Sequence, residues 1–178
     1  MQPDLLDLYR QASTWTIERV AGATTQLAAP TPCDEWDVRT LLNHMLETQR
    51  FFTAQAKGED AALPGPMPPD VLSDDPVADF EHGRTELLDA YGRPGVLEKA
   101  APALSIAFSD QLIHGWDLAQ ATGQDAVMPP GLAEASYEMI HGRLTDEQRQ
   151  AVFKPAVPVA ADASPQETLL AYTGRPSR

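Results

Sequence analysis

Asp110-Gln-Leu-Ile-His114-Gly-Trp116-Asp117-Leu-Ala is an apolar, helix-compatible run that also carries three ionisable side chains. Read at the helical period, residues i and i+4 stack on one face, about 5.4 Å apart along the axis. Asp110 and His114 then share a face and can grip one metal ion together, as the paired histidines of HExxH do. A third ligand has to come from another element. His44, in Leu41-Leu42-Asn43-His44-Met45-Leu46, is the only other histidine set in a strongly helical apolar run. The bland alternative stands beside this one. The same spacing serves an ordinary i,i+4 contact, and a histidine on a helix is commonly a hydrogen-bonded core or surface residue.

Working outward, helical periodicity dominates the chain. Leu5, Leu6, Leu8, Tyr9, Ala12, Trp15, Val20 and Ala23 predict a first helix from about Asp4 to Leu27, stopped by Pro30 and Pro32. Asp37 reads as the N-cap of a second helix with Val38, Leu41, Leu42, Met45, Leu46 and Phe52 as its apolar side, ending near Lys57-Gly58. Residues 60–75, with four prolines, predict an extended loop. A third helix is expected from Pro76 to Tyr91, begun by Asp75 and stopped by Gly92-Arg93-Pro94-Gly95. The fourth, about Pro102 to Ala121, carries the opening motif. A fifth is expected from Pro129-Pro130 to His141-Gly142, and the tail is broken by Pro155, Pro158, Pro165 and Pro176. Within it, Pro165 to Tyr172 predicts a short turn and Phe153 to Val159 an extended segment. These signals predict an all-α fold of four or five helices with an irregular, proline-rich C-terminal tail, in a single domain spanning 1–178.

At 178 residues the chain can bury a real core without disulfides. A 43% hydrophobic fraction is that of a globular protein. A net charge of −13, with basic residues scattered singly, excludes nucleic acid and disfavours an anionic membrane surface. No apolar run approaches a membrane span, and the N-terminus lacks the pattern of a signal peptide. With one cysteine and no internal disulfide, the expected location is the cytoplasm.

Two histidines and one aspartate on neighbouring helices leave coordination positions open, as catalytic rather than structural zinc sites do. Such a trio also suits nickel, iron or manganese. Other candidates carry less chemistry. Cys33 has no neighbouring Lys, Arg or His in sequence and reads as a small packing residue. His82, beside Glu81, reads as exposed, and His141 as a helix C-terminal residue that favours the dipole. Ser13, Ser105 and Ser109 lack any G-x-S-x-G context. Trp36 and Trp116 read as core anchors.

Thr31-Pro32-Cys33-Asp34-Glu35-Trp36-Asp37-Val38-Arg39-Thr40-Leu41-Leu42-Asn43-His44 resembles the signature of the DinB-like superfamily. More narrowly, it resembles the branch containing the N-terminal domain of mycothiol-dependent maleylpyruvate isomerase. His114-Gly115-Trp116-Asp117-Leu118-Ala119-Gln120-Ala121-Thr122-Gly123-Gln124 is similar to the second signature of that branch. The resemblance implies a four-helix bundle with a divalent metal, usually zinc, in its interior. It makes His44 the first-motif ligand and His114 the second-motif histidine. Asp110 stands where the isomerase has a glutamate, and so is one methylene shorter. The isomerase also carries a further C-terminal domain where this chain has its proline-broken tail.

By the same resemblance, Asn43 and Asp117 would orient the ligands, a solvent-facing place being equally open to Asn43; Arg39 reads as a surface residue first, with contact to a substrate carboxylate as the alternative. The implied function is a thiol-dependent transferase or isomerase acting on small electrophiles, with mycothiol or bacillithiol as the thiol. The alternatives are a metal-dependent hydrolase using metal-bound water and a non-enzymatic metal-binding bundle. A homodimer is among the expectations, because the family often forms dimers.

Overall fold

The computed structural model describes residues 4–33, 36–143 and 153–176, so Asp34 and Glu35 of the first motif lie outside the described residues. The described residues are all-helical: α1 Leu5–Ala23, α2 Val38–Lys57, α3 Pro76–Tyr91, α4 Val96–Thr122, α5 Leu132–Ile140 and α6 Pro165–Tyr172. None is long and apolar enough to cross a membrane. The chain divides into two compact units, Met1–Val127 and Met128–Arg178.

In the first unit, α1 and α2 each pack against both α3 and α4, the arrangement of a four-helix bundle. Val38, Leu41, Leu42, Met45 and Leu46 of α2 meet Ile17, Val20 and Ala23 of α1, Phe80 of α3 and Leu118 of α4 in one core cluster. The expected N-caps are in place. Asp37 accepts from the Thr40 backbone N–H at 2.8 Å, and Asp75 from that of Ala78 at 3.1 Å. That fixes where α2 starts, and hence the face on which its residues emerge.

Three element boundaries differ from expectation. Helix α1 ends at Ala23 rather than near Leu27. There the Thr24 hydroxyl donates to the Ala21 carbonyl at 3.1 Å, a local bond that competes with another helical turn. Helix α4 starts at Val96, six residues before Pro102. Gly95, in the left-handed region at φ 79°, turns the chain into it, and Leu97 to Ala101 are strong helix formers that outweigh the donor lost at Pro102. Pro165–Tyr172, expected as a turn, is a helix of 8 residues. Ser164 and Glu167 close a capping box there, and Pro165 occupies the first turn, where its missing N–H costs nothing. In this second unit α5 and α6 pack together, burying Leu132, Ala133, Ile140, Leu169 and Leu170.

One close approach matters for the site. A Cβ at Gly115 would lie 2.6 Å from Thr16 Oγ1 and 2.7 Å from the Trp15 ring. The absent side chain lets α1 press on α4 beside His114, and Thr16 Oγ1 donates across the gap to the Gln111 carbonyl at 2.9 Å.

Candidate metal centre

His44 leaves α2 on the side facing α4, one position after Asn43 and one before buried Met45. Asp110 and His114 leave α4 one turn apart, bracketed by buried Ser109, Gln111, Leu112, Ile113 and Gly115. Because α2 packs on α4, the three side chains converge. His114 Nε2 is 3.4 Å from Asp110 Oδ1, and His44 Nε2 is 3.7 Å from the same oxygen. The two imidazoles meet edge to face with centroids 5.0 Å apart. Trp36 packs against the His44 ring at 4.8 Å. The side chains of His44, Asp110 and His114 keep 16%, 18% and 13% of their surface, so the donors sit in the wall of the bundle within reach of solvent.

The donor set fits a divalent ion. Both histidine–aspartate separations are long for good hydrogen bonds. They are close to the spacing of neighbouring ligands on a tetrahedral ion, about 3.3–3.4 Å for bonds of 2.0–2.1 Å. Among the described residues Asp110 Oδ2 is buried without a hydrogen-bond partner, an oxygen that a bound cation would satisfy.

His114 is held from behind. Its Nδ1 lies 3.0 Å from Oδ2 of Asp117, a carboxylate with no exposed surface, so the ring donates through Nδ1 and turns Nε2 towards Asp110 and His44. The charges agree with this posture. Burial pushes the Asp110 carboxyl up, but the charges and hydrogen-bonding nitrogens of His114 and His44 outweigh it and hold the group below its ordinary range. Burial likewise disfavours a charged His114, yet Asp110, Asp117 and Cys33 together raise its pKa well above 6.5. A proton therefore occupies a position that a cation can take.

Of the residues singled out in the sequence, His44, Asp110 and His114 come together and Asp117 backs His114. Asn43 is turned elsewhere: its Oδ1 accepts from the backbone N–H groups of Val71 and Leu72 at 2.8 and 2.9 Å, and its Nδ2 donates to Asp70 at 3.0 Å. Arg39 grips Asp70 with two nitrogens at 2.9–3.2 Å, a surface pairing. Trp36 Nε1 donates to the Pro66 carbonyl at 3.0 Å. Together the three tie the 66–72 loop to the start of α2. His82 is exposed, 3.7 Å from Glu86, and His141 caps α5 while stacking on Tyr137. Cys33 is the residue that sequence reasoning passed over. Its Sγ donates to Asp117 Oδ2 at 3.3 Å and lies 3.9 Å from His114 Nδ1. The one available signal was its place in the same motif as His44.

Residues 9–119 match the family described as the mycothiol maleylpyruvate isomerase N-terminal domain, a span that includes every residue of this centre. The chain is 28% identical over 166 residues to an uncharacterized protein of Mycobacterium tuberculosis strain CDC 1551, covering 86% of this chain and 87% of that one. An uncharacterized protein of strain H37Rv matches with the same identity and coverage. No solved structure matches significantly.

Proposed function

Starting from the chain's membership in the mycothiol maleylpyruvate isomerase N-terminal domain family, we propose that it is a divalent-metal protein that uses a low-molecular-weight thiol to act on small electrophiles, as a transferase or isomerase. The observation that carries the reading is the convergence of His44 Nε2, Asp110 Oδ1 and His114 Nε2 from two packed helices at ligand-like spacing. A bound divalent ion, zinc before nickel, iron or manganese, supplies a positive centre that lowers the pKa of a thiol placed against it.

The chain's own residues do the rest. Asp110 and Asp117 bring two negative charges, which balance a divalent ion within a largely apolar bundle. Asp117 holds the His114 ring so that Nε2 stays directed at the centre. Trp36 walls one face of His44 and restricts that ring's rotation. With three protein donors among the described residues, room remains for an exogenous ligand, as catalytic sites require. The cytoplasm, where such thiols stay reduced, is the compartment that suits this chemistry.

The test is elemental analysis of purified protein beside His44→Ala and His114→Ala, followed by thiol titration of the cobalt-substituted form. The expected result is about one metal per chain, lost in both variants, and a cobalt spectrum that changes on adding mycothiol. Wild type that stays empty after incubation with zinc, nickel and manganese overturns the reading. A cobalt spectrum indifferent to thiol, together with ester or amide hydrolysis in its absence, would replace it with a hydrolase.

A further inference from the structure

We propose that Cys33 is a positioning residue for this centre: acting through Asp117, its S–H group holds the His114 ring in the orientation that points Nε2 at Asp110 and His44. The inference rests on the metal-binding reading above and adds a residue behind the ligands.

The geometry is a relay around one oxygen. Asp117 Oδ2 receives His114 Nδ1 at 3.0 Å and Cys33 Sγ at 3.3 Å, on a carboxylate with no solvent exposure. A fully buried carboxylate is costly unless donors satisfy it, and a second donor on the same oxygen fixes where that oxygen lies. Fixing the oxygen fixes the imidazole bonded to it.

Cys33 is itself locked. Its backbone N–H donates to Thr31 Oγ1 at 3.1 Å, and its carbonyl accepts the Trp36 backbone N–H at 3.1 Å. The Thr31 N–H in turn donates to the Trp36 carbonyl at 3.1 Å. Cys33 thus stands at the rear of one ligand and the Trp36 ring at the face of the other. Ligands on two different helices are thus braced by a thiol and an indole that stand three positions apart ahead of His44.

The experiment compares Cys33→Ser, which keeps a hydroxyl donor, with Cys33→Ala and the better-filling Cys33→Val, which keep none. Three readouts are taken: the His114 Nδ1–H proton resonance of metal-free protein, the zinc Kd by chelator competition, and the cobalt spectrum. Thermal unfolding identifies a variant that fails to fold, and Cys33→Val covers that outcome for Cys33→Ala.

The donor-less variants are expected to lose the exchange-protected Nδ1–H resonance and to bind zinc about tenfold more weakly, the lower end for residues that orient ligands. Cys33→Ser should stay within about threefold of wild type and keep the resonance. Donor-less variants with wild-type resonance and affinity overturn the proposal. So does an equal loss in serine and valine variants, or a sulfur-to-cobalt band in wild type that would make Cys33 a ligand. Should wild type take up no metal, the functional reading fails, and the metal-free His114 resonance still decides the role of Cys33.

Discussion

Asp110 offers one oxygen to two imidazoles, and that sharing sets how the centre responds to pH. The His114 pKa lies above 6.5, so its share of stability is complete below 6.5 and fades as pH rises through the raised value. The Asp110 pKa lies below 3.8, so its share is present above 3.8 and is lost as pH falls through the lowered value. Metal-free protein therefore gains most from this pair between about 3.8 and the raised His114 value. Metal uptake needs a deprotonated His114, so zinc affinity should fall as pH is lowered, about tenfold per unit for each proton displaced. Chelator competition from pH 8 to 6 checks the slope, and heats of binding in buffers of different ionisation enthalpy count the protons. A pH-independent Kd would mean that His114 is not a ligand. Asp110→Asn keeps the shape but removes the charge, and should weaken zinc by more than the 10–100-fold typical of residues that only orient ligands. Asp110→Glu, restoring the isomerase's residue type, should retain metal.

At the scale of the helix, the centre depends on where α2 begins and on how closely α1 lies against α4. Asp37 sets the first, satisfying Thr40 N–H and Thr40 Oγ1 at 2.8 and 2.7 Å. Asp37→Ala should cost about 1 kcal/mol, read as a lowered denaturation midpoint. Gly115 sets the second. Its added methyl would strike Thr16 Oγ1 and the Trp15 ring, so Gly115→Ala should destabilise by about 1–3 kcal/mol and displace α4 next to His114. Both a lower unfolding midpoint and a weaker zinc Kd are expected; an unchanged midpoint would show that the helices can part there without penalty. Element types were legible in the sequence because apolar spacing, Asp caps and glycine stops all agreed for α2 and α3. The start of α4 was less legible, because Pro102 is a good first-turn residue and hid a run of helix formers before it.

Across the whole molecule, the three donors join α2 to α4, residues 66 positions apart in the case of His44 and Asp110. Metal bound only by the folded chain adds stability by mass action, about 2.7 kcal/mol at a free concentration of 100 times Kd. The unfolding temperature should rise with zinc and return with chelator in wild type, and be insensitive to zinc in His44→Ala. A zinc-independent Tm in wild type would contradict a site built from those helices.

The sequence by itself determined the all-helical fold, the shared face of Asp110 and His114, and the chain's family, because local spacing and two ordered motifs encode those. It did not say that Asn43 turns to the 70–72 backbone or that Arg39 is taken by Asp70, and for Cys33 behind His114 it offered only the shared motif with His44. Those were decided only by tertiary structure. Which way a side chain turns at a helix start, and what a loop residue meets 84 positions away at Asp117, depend on packing between elements rather than on period within one.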